Sequence, residues 1–126
     1  MTDTWVFLIR EPDWDSDAYL PENLQGQDRR EMSDEMAAHG RFAAAVEELG
    51  GKVVAGYALQ NRKYGGTVKP GKEDADAVWS DAPLPDSSEV ITGFYGIECD
   101  EDVARKLAVQ VPTGNLIEMR KVHPFE

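Results

Sequence analysis

The predicted fold depends on residues 77–98, which read AVWSDAPLPDSSEVITGFYGIE. This pattern indicates the end of one strand, a polar turn rich in proline, and a second strand that is apolar and aromatic. Asp81 and Pro83 stand at the apex of the turn, and Glu89 directly precedes the second strand. The two strands and the turn between them give the chain its central structural unit.

Strand and helix signals continue outward from this unit towards both ends of the chain. Apolar runs predict strands at 4–9, 52–59, 90–97 and 116–122, and a hairpin over 67–80 that is interrupted at Pro70-Gly71. Helical spacing of apolar residues predicts one helix over 33–49, capped by Ser33, and another that begins after Asp100 and ends at Pro112. Met32, Met36, Phe42, Val46 and Leu49 form the apolar face of the first helix.

The order of these elements is β-α-β-β-β-α-β, or β-α-β-β-α-β with the central hairpin as an elaboration. It predicts one α+β domain over 1–126 with a ferredoxin-like order, in which two helices cover one face of a mainly antiparallel sheet. The other face of such a sheet is usually buried by a second protomer. We therefore expect a homodimer.

Composition narrows the class of partner. The formal charge of −11 argues against binding to nucleic acid and to anionic membranes, both of which require Lys and Arg. The single cysteine, Cys99, permits no internal disulfide, and without a basic neighbour in sequence we expect it to be inert. No apolar run reaches the roughly 20 residues that span a bilayer. With no signal-peptide pattern at the N-terminus, we expect a cytoplasmic protein.

Residues 11–31 form a polar stretch that we interpret as a long surface loop. Trp14 and Tyr19 interrupt its polarity. Two interpretations stay open for them: they pin the loop to the body of the protein, which is the favoured one, or they are the aromatic lining of a lid.

No strong catalytic motif is present, and neither a phosphate loop nor histidine spacing typical of a metal site occurs. We therefore predict no cofactor and no metal. The main candidate for chemistry is His39, since a histidine can act as general acid or base, with the Asp81 carboxylate orienting its ring. The alternatives are a His39 bonded to a backbone carbonyl and an Asp81 that bonds the backbone of its own turn.

Four further residues are candidates for binding a small-molecule ligand. Trp79 and Tyr95 could line an apolar pocket, although core packing is the commoner use of aromatic side chains. Arg120 could hold an anionic group of the ligand, but a solvated ion pair with Glu118 explains it equally well. Glu89 could pair with a basic group, or it could simply begin the strand.

The same residues resemble a known family, the YCII-related proteins of the DGPF type. In that family a D-G-P-F turn is followed by a Glu, a Gly-aromatic strand, a helix that ends in proline, and a closing E-V-R-P-V strand. The chain matches this order with Asp81, Pro83, Glu89, Gly93-Phe94-Tyr95, Pro112, Glu118, Arg120 and Val122. It departs from the pattern where Ala82 and Leu84 replace the Gly and Phe of the turn.

The resemblance implies a dimeric α/β barrel and an active site built on a His and an Asp, here His39 and Asp81. It also implies either a cofactor-independent acid–base enzyme that acts on a small molecule, or a member of the family without known activity. A small-molecule-binding or regulatory dimer without catalysis is the alternative. A link to transcription rests only on the association of some family members with alternative sigma factors.

Overall fold

Strand β1 (Asp3–Glu11) has a paired neighbour on each side, which makes it an interior strand of the main sheet. The computed structural model describes residues 2–80, 89–112 and 114–125. Over these residues the fold is α+β, with two α-helices and a four-stranded antiparallel sheet in the order β2-β5-β1-β6. The other elements are α1 (Gly26–Glu48), β2 (Lys52–Ala58), β3 (Thr67–Lys69), β4 (Val78–Ser80), β5 (Val90–Cys99), α2 (Glu101–Ala108) and β6 (Leu116–Lys121).

One face of the sheet and both helices form the hydrophobic core. Alternate residues of a strand point to the same face, so Trp5, Phe7 and Ile9 of β1 all point towards the helices, and all three are buried. Trp5 and Phe7 belong to a core cluster whose other buried members are Phe42 and Val46 of α1, Ile97 and Cys99 of β5, and Ala104 and Leu107 of α2. The burial of Cys99 agrees with the expectation that its thiol is inert, and burial raises the pKa of that thiol.

The prediction for the start of the first helix is wrong. Helix α1 begins at Gly26, seven residues before Ser33, and its N-cap residue is Gln25, whose side chain makes no capping bond. The polar segment before Ser33 is helical because Gln, Arg and Glu are good helix formers, and Gln27 bonds both Arg30 and Glu31 along the helix surface. Polarity here reflects exposure to solvent and not the absence of a helix.

The apolar face of α1 is also shorter than predicted. Phe42 and Val46 are buried, whereas the side chain of Met36 is 64% exposed. The N-terminal half of the helix borders an open cavity, described below, and therefore has no close-packed partner.

The region between β2 and β5 contains the predicted hairpin. Strands β3 and β4 pair with each other, with Thr67 opposite Ser80 and Lys69 opposite Val78, and they form a separate two-stranded sheet. The predicted hairpin is therefore present, and it is not part of the four-stranded sheet.

The face of the main sheet opposite the helices has an apolar centre. Val6 and Leu8 of β1 lie on it, with Phe94 of β5 opposite Leu8 and Tyr57 of β2 opposite Phe94. The rings of Tyr57 and Phe94 contact each other at 5.8 Å between centroids, and Tyr57 is 70% exposed. We call Val6, Leu8, Tyr57 and Phe94 the open apolar face.

Neither helix of the described chain combines the length and the apolar character that crossing a membrane would require.

Replacing Phe42 with Ala should lower the free energy of unfolding by about 3–5 kcal/mol, because it removes a buried ring that contacts both the core and Tyr95. Chemical denaturation followed by circular dichroism measures this change. Phe125→Ala is the matched control, since its ring is 88% exposed. Equal effects of the two substitutions would contradict the assignment of Phe42 to the core.

Candidate functional site

A cavity of about 540 Å³ lies between the N-terminal half of α1, the segment that follows β1, and strands β1, β2 and β5. We call it the α1 cavity. Its volume is within the range of pockets that bind small molecules. Met32, Glu35, Met36 and His39 line it from the helix, and Trp14 and Tyr19 line it from the segment after β1.

The cavity exists because the sheet carries small residues beneath this part of the helix. In the row that crosses the sheet at Ile9, the neighbours are Gly93 of β5 and Ala58 of β2. At the filled end of the sheet, the residue of β5 opposite Trp5 is the fully buried Ile97. Loss of large side chains from one end of an otherwise close-packed layer leaves a space next to the core.

At the wall of the cavity, His39 of α1 meets Tyr95 of β5. The His39 Nδ1 and the Tyr95 hydroxyl oxygen are 2.5 Å apart, and both side chains are half-buried. Burial raises the pKa of the Tyr95 hydroxyl above its ordinary value, so the hydroxyl keeps its proton at neutral pH. A protonated hydroxyl can either donate to Nδ1 or accept from Nδ1–H, depending on the tautomer of the ring. We predict the first arrangement, with Nδ1 as the acceptor and the proton of the neutral ring on Nε2.

Two neighbours fix the position of the Tyr95 ring. The ring of Phe42, one turn after His39 on the helix, lies 4.8 Å from the Tyr95 ring between centroids. On the sheet side, a Cβ atom at Gly56 would lie 3.1 Å from Cδ1 of Tyr95, which is closer than most side chains permit. A glycine inside a strand often marks a bulge or a close neighbour. Here the close neighbour of Gly56 is the Tyr95 ring, and the register of β2 shifts nearby, between Val53 and Ala55.

A second polar pair lies at another part of the cavity. The Thr92 hydroxyl donates to Oε1 of Glu11 at 2.5 Å, and Thr92 is 6% exposed. The pairing of β1 with β5 shifts register after Ile9, so that Thr92 has no residue opposite it in β1. Sequence analysis missed Glu11 and Thr92, since a bulge that brings a strand-end carboxylate to a cavity leaves no pattern in the sequence.

The segment after β1 is docked on the body of the protein. Trp14 donates from Nε1 to the Leu59 carbonyl at 3.0 Å, and Asn61 bonds both the Ser16 hydroxyl and the Trp14 carbonyl at 2.8 and 2.9 Å. The rings of Trp14 and Tyr19 contact each other at 5.6 Å between centroids. Trp14 thus pins the segment to Leu59, and Tyr19 pins it to α1 by donating to Glu31, as the favoured interpretation had it. Both rings also line the cavity.

An ion pair strengthens this docking on the outside of the segment. Asp17 accepts hydrogen bonds from the Lys63 ammonium and from the Tyr64 hydroxyl, the second at 2.5 Å. These bonds hold the pKa of Asp17 below its usual value and raise the pKa of Lys63. A lowered carboxyl pKa means that the contribution of this contact is present near neutral pH and is lost as the pH falls through that pKa.

Of the predicted site residues, the structure brings His39 and Tyr95 together. Trp79 lies on β4 in the separate hairpin and is 70% exposed. Glu89 directly precedes β5 and is half-buried. Asp81, the predicted partner of His39, lies outside the described residues together with Pro83.

Arg120 lies on β6 opposite Val6, on the face of the sheet that turns away from the helices. Its guanidinium bonds Glu118 at 3.3 Å, and Arg10 bonds the other oxygen of the same carboxylate at 3.2 Å. These two cations hold the pKa of Glu118 below its usual value. Arg120 is thus in the ion pair that sequence analysis gave as the alternative to ligand binding.

Among the residues that the structure describes, no group of three His, Cys, Asp or Glu side chains could hold a metal ion. Comparison with known protein families finds no family model that matches the chain, and comparison with curated proteins finds no match either.

We predict the Nε2–H tautomer for the neutral His39 ring, the arrangement in which the Tyr95 hydroxyl donates to Nδ1. Long-range ¹H–¹⁵N NMR distinguishes the two ring nitrogens and should give Nδ1 the shift of an unprotonated acceptor. Replacing Tyr95 with Phe removes the donor and should move the Nδ1 resonance while leaving His123, the other histidine, unchanged.

Gly56→Ala should move the Nδ1 resonance of His39 in the same direction as Tyr95→Phe, but by less, since its new methyl group displaces the Tyr95 ring without removing the hydroxyl. Gly40→Ala is a matched control, because a Cβ at Gly40 meets nothing within 4 Å. An unchanged His39 spectrum in both the Tyr95→Phe and Gly56→Ala proteins would contradict the contact.

Proposed function

We propose that the α1 cavity binds a small molecule with an apolar body, and that His39 and Tyr95 transfer a proton to or from it without a cofactor. The observation that carries this function is the 2.5 Å contact between His39 Nδ1 and the Tyr95 hydroxyl at the cavity wall. General acid–base catalysis needs such a pair within hydrogen-bond distance of the ligand.

The direction of proton movement follows from the raised pKa of Tyr95. A free phenolate is unfavourable here, so Tyr95 acts as a relay and the imidazole as the base. The tyrosine oxygen accepts a proton from the ligand while its own proton passes to Nδ1, which leaves a neutral hydroxyl and an imidazolium ring. Return of the proton along the same path makes the pair a general acid.

The carboxylate of Asp81 completes this proposal. With Nδ1 bonded to Tyr95, the Nε2–H of His39 is the atom that Asp81 would accept from, and a carboxylate there would stabilise the imidazolium. This role for Asp81, together with membership of the YCII-related family of the DGPF type, rests on the sequence resemblance.

We also propose a ferredoxin-like fold that forms a homodimeric α/β barrel. The order β2-β5-β1-β6, with every neighbouring pair antiparallel and a helix in each of the β1–β2 and β5–β6 connections, supports the ferredoxin-like part. The open apolar face supports the dimer, since a second copy would cover Val6, Leu8, Tyr57 and Phe94.

A ligand-binding or regulatory dimer without catalysis is the alternative function. The aromatic lining from Trp14 and Tyr19 favours binding and needs no proton transfer. A link to transcription would follow from the family resemblance.

A thermal-shift screen of small molecules, followed by mass spectrometry of each stabilising compound, separates these functions. If the protein is an enzyme, at least one compound should raise its melting temperature and be converted to a product. His39→Gln and Tyr95→Phe should each lower the turnover of that compound by about 10²-fold or more, while the compound still raises the melting temperature of both variants. His123→Gln is the matched control. Stabilisation without any conversion would support the binding module, and full turnover by His39→Gln would refute the role of the pair.

Equilibrium sedimentation tests the dimer. The chain should sediment as a dimer, and Tyr57→Lys should dissociate it, because a buried ammonium would replace an aromatic contact within the proposed interface. Val109→Lys is the control, since Val109 directly follows α2 and is 85% exposed. A monomer in the unmodified protein, or equal effects of the two lysines, would contradict the proposed interface.

A further inference from the structure

The charges around the α1 cavity are of one sign. Glu11 and Glu35 line it, and none of the described lining residues is Lys or Arg. The whole chain has the same bias, with 24 acidic and 13 basic residues. A cavity lined by one sign of charge concentrates ligands of the opposite sign.

Each of the two carboxylates is placed to face a ligand. Oε1 of Glu11 is fixed by the buried Thr92 hydroxyl, which orients the group in the cavity wall. Glu35 is half-buried and lies one turn before His39 on α1. Within the described residues, neither carboxylate has a Lys or Arg partner at ion-pair distance.

The helix side of the opening continues this negative charge. Tyr19 donates to Glu31 at 3.1 Å, and that bond, together with burial and the nearby carboxylates of Asp28 and Glu35, raises the pKa of Tyr19. An anionic ligand would have to lose water next to these carboxylates without any cation to compensate it.

The remaining lining suits an organic cation. Trp14 and Tyr19 offer aromatic faces, which attract an ammonium group, and Ile9 and Met32 offer apolar contacts for a hydrocarbon body. Arg120, which the sequence offered as a group for an anionic ligand, lies on the other face of the sheet and bonds Glu118.

We propose that the ligand of the α1 cavity is a small organic amine, whose ammonium group pairs with the carboxylates of Glu11 and Glu35 and whose apolar body lies against Trp14 and Tyr19. The inference rests on the proposed function, because it assigns a substrate class to the same cavity. It excludes the anionic substrate that an arginine in the site would have suggested.

Three compounds of similar shape and different charge test the inference: 2-phenylethylamine, 2-phenylethanol and 3-phenylpropanoate. Titration of the ¹⁵N-labelled protein at low salt should shift the amide signals of cavity residues with all the compounds that bind. We expect the amine to bind about tenfold or more tightly than the alcohol, and the propanoate more weakly than either.

Glu11→Gln and Glu35→Gln should each weaken binding of the amine by about 5- to 30-fold and leave binding of the alcohol unchanged. Glu48→Gln, at the far end of α1, is the control for non-specific attraction to an acidic protein. An equal loss of amine binding in Glu48→Gln would overturn the inference, because attraction would then come from the whole surface.

The same titrations distinguish a failure of the amine inference from a failure of the proposed function of the cavity. If the alcohol or the propanoate binds as tightly as the amine, the inference is wrong and the cavity remains a ligand site. If none of the three shifts a cavity signal at millimolar concentration, both the inference and the proposed function of the cavity are contradicted.

Discussion

The Tyr95 ring joins the two layers of the fold at the place where the site is built. It passes over Gly56 of the neighbouring strand, packs on Phe42 of the helix, and places its hydroxyl on His39 one turn away. Each contact depends on the others. A side chain at position 56 would displace the ring, and a displaced ring would lose both the packing on Phe42 and the bond to Nδ1.

The two faces of the sheet have different roles in this account. The face under the helices is filled at one end by a close-packed core and open at the other, where Gly93 and Ala58 leave the cavity. The opposite face has an apolar centre with Arg10, Glu118 and Arg120 at one side. Strand alternation alone separates the two, since successive residues of one strand point towards the helices and towards the open apolar face in turn.

Much of the fold was predictable because it depends on local patterns. The apolar runs predicted the four strands of the main sheet to within a few residues, and Pro70-Gly71 marked the hairpin. The start of α1 was not predictable by hydrophobic spacing, since the residues before Ser33 form a solvated part of the helix with little apolar periodicity.

The site was predictable only in part. His39 and Tyr95 were both candidates, but nothing in the sequence pairs two residues that are 56 positions apart. The partnership depends on where α1 crosses β5 and on the space above Gly56. Glu11 and Thr92 were missed because a register shift brings them to the cavity, and Asp81 lies outside the described residues.

A crystal structure of the protein with a bound ligand would test the central claim most directly, through the distances from the two ring nitrogens of His39. We predict that Nδ1 lies within about 3.0 Å of the Tyr95 oxygen, that Nε2 lies within about 3.2 Å of the Asp81 carboxylate, and that the ligand occupies the cavity beside them. A His39 ring turned to solvent, with the Tyr95 hydroxyl bonded elsewhere and the ligand outside the cavity, would contradict the account.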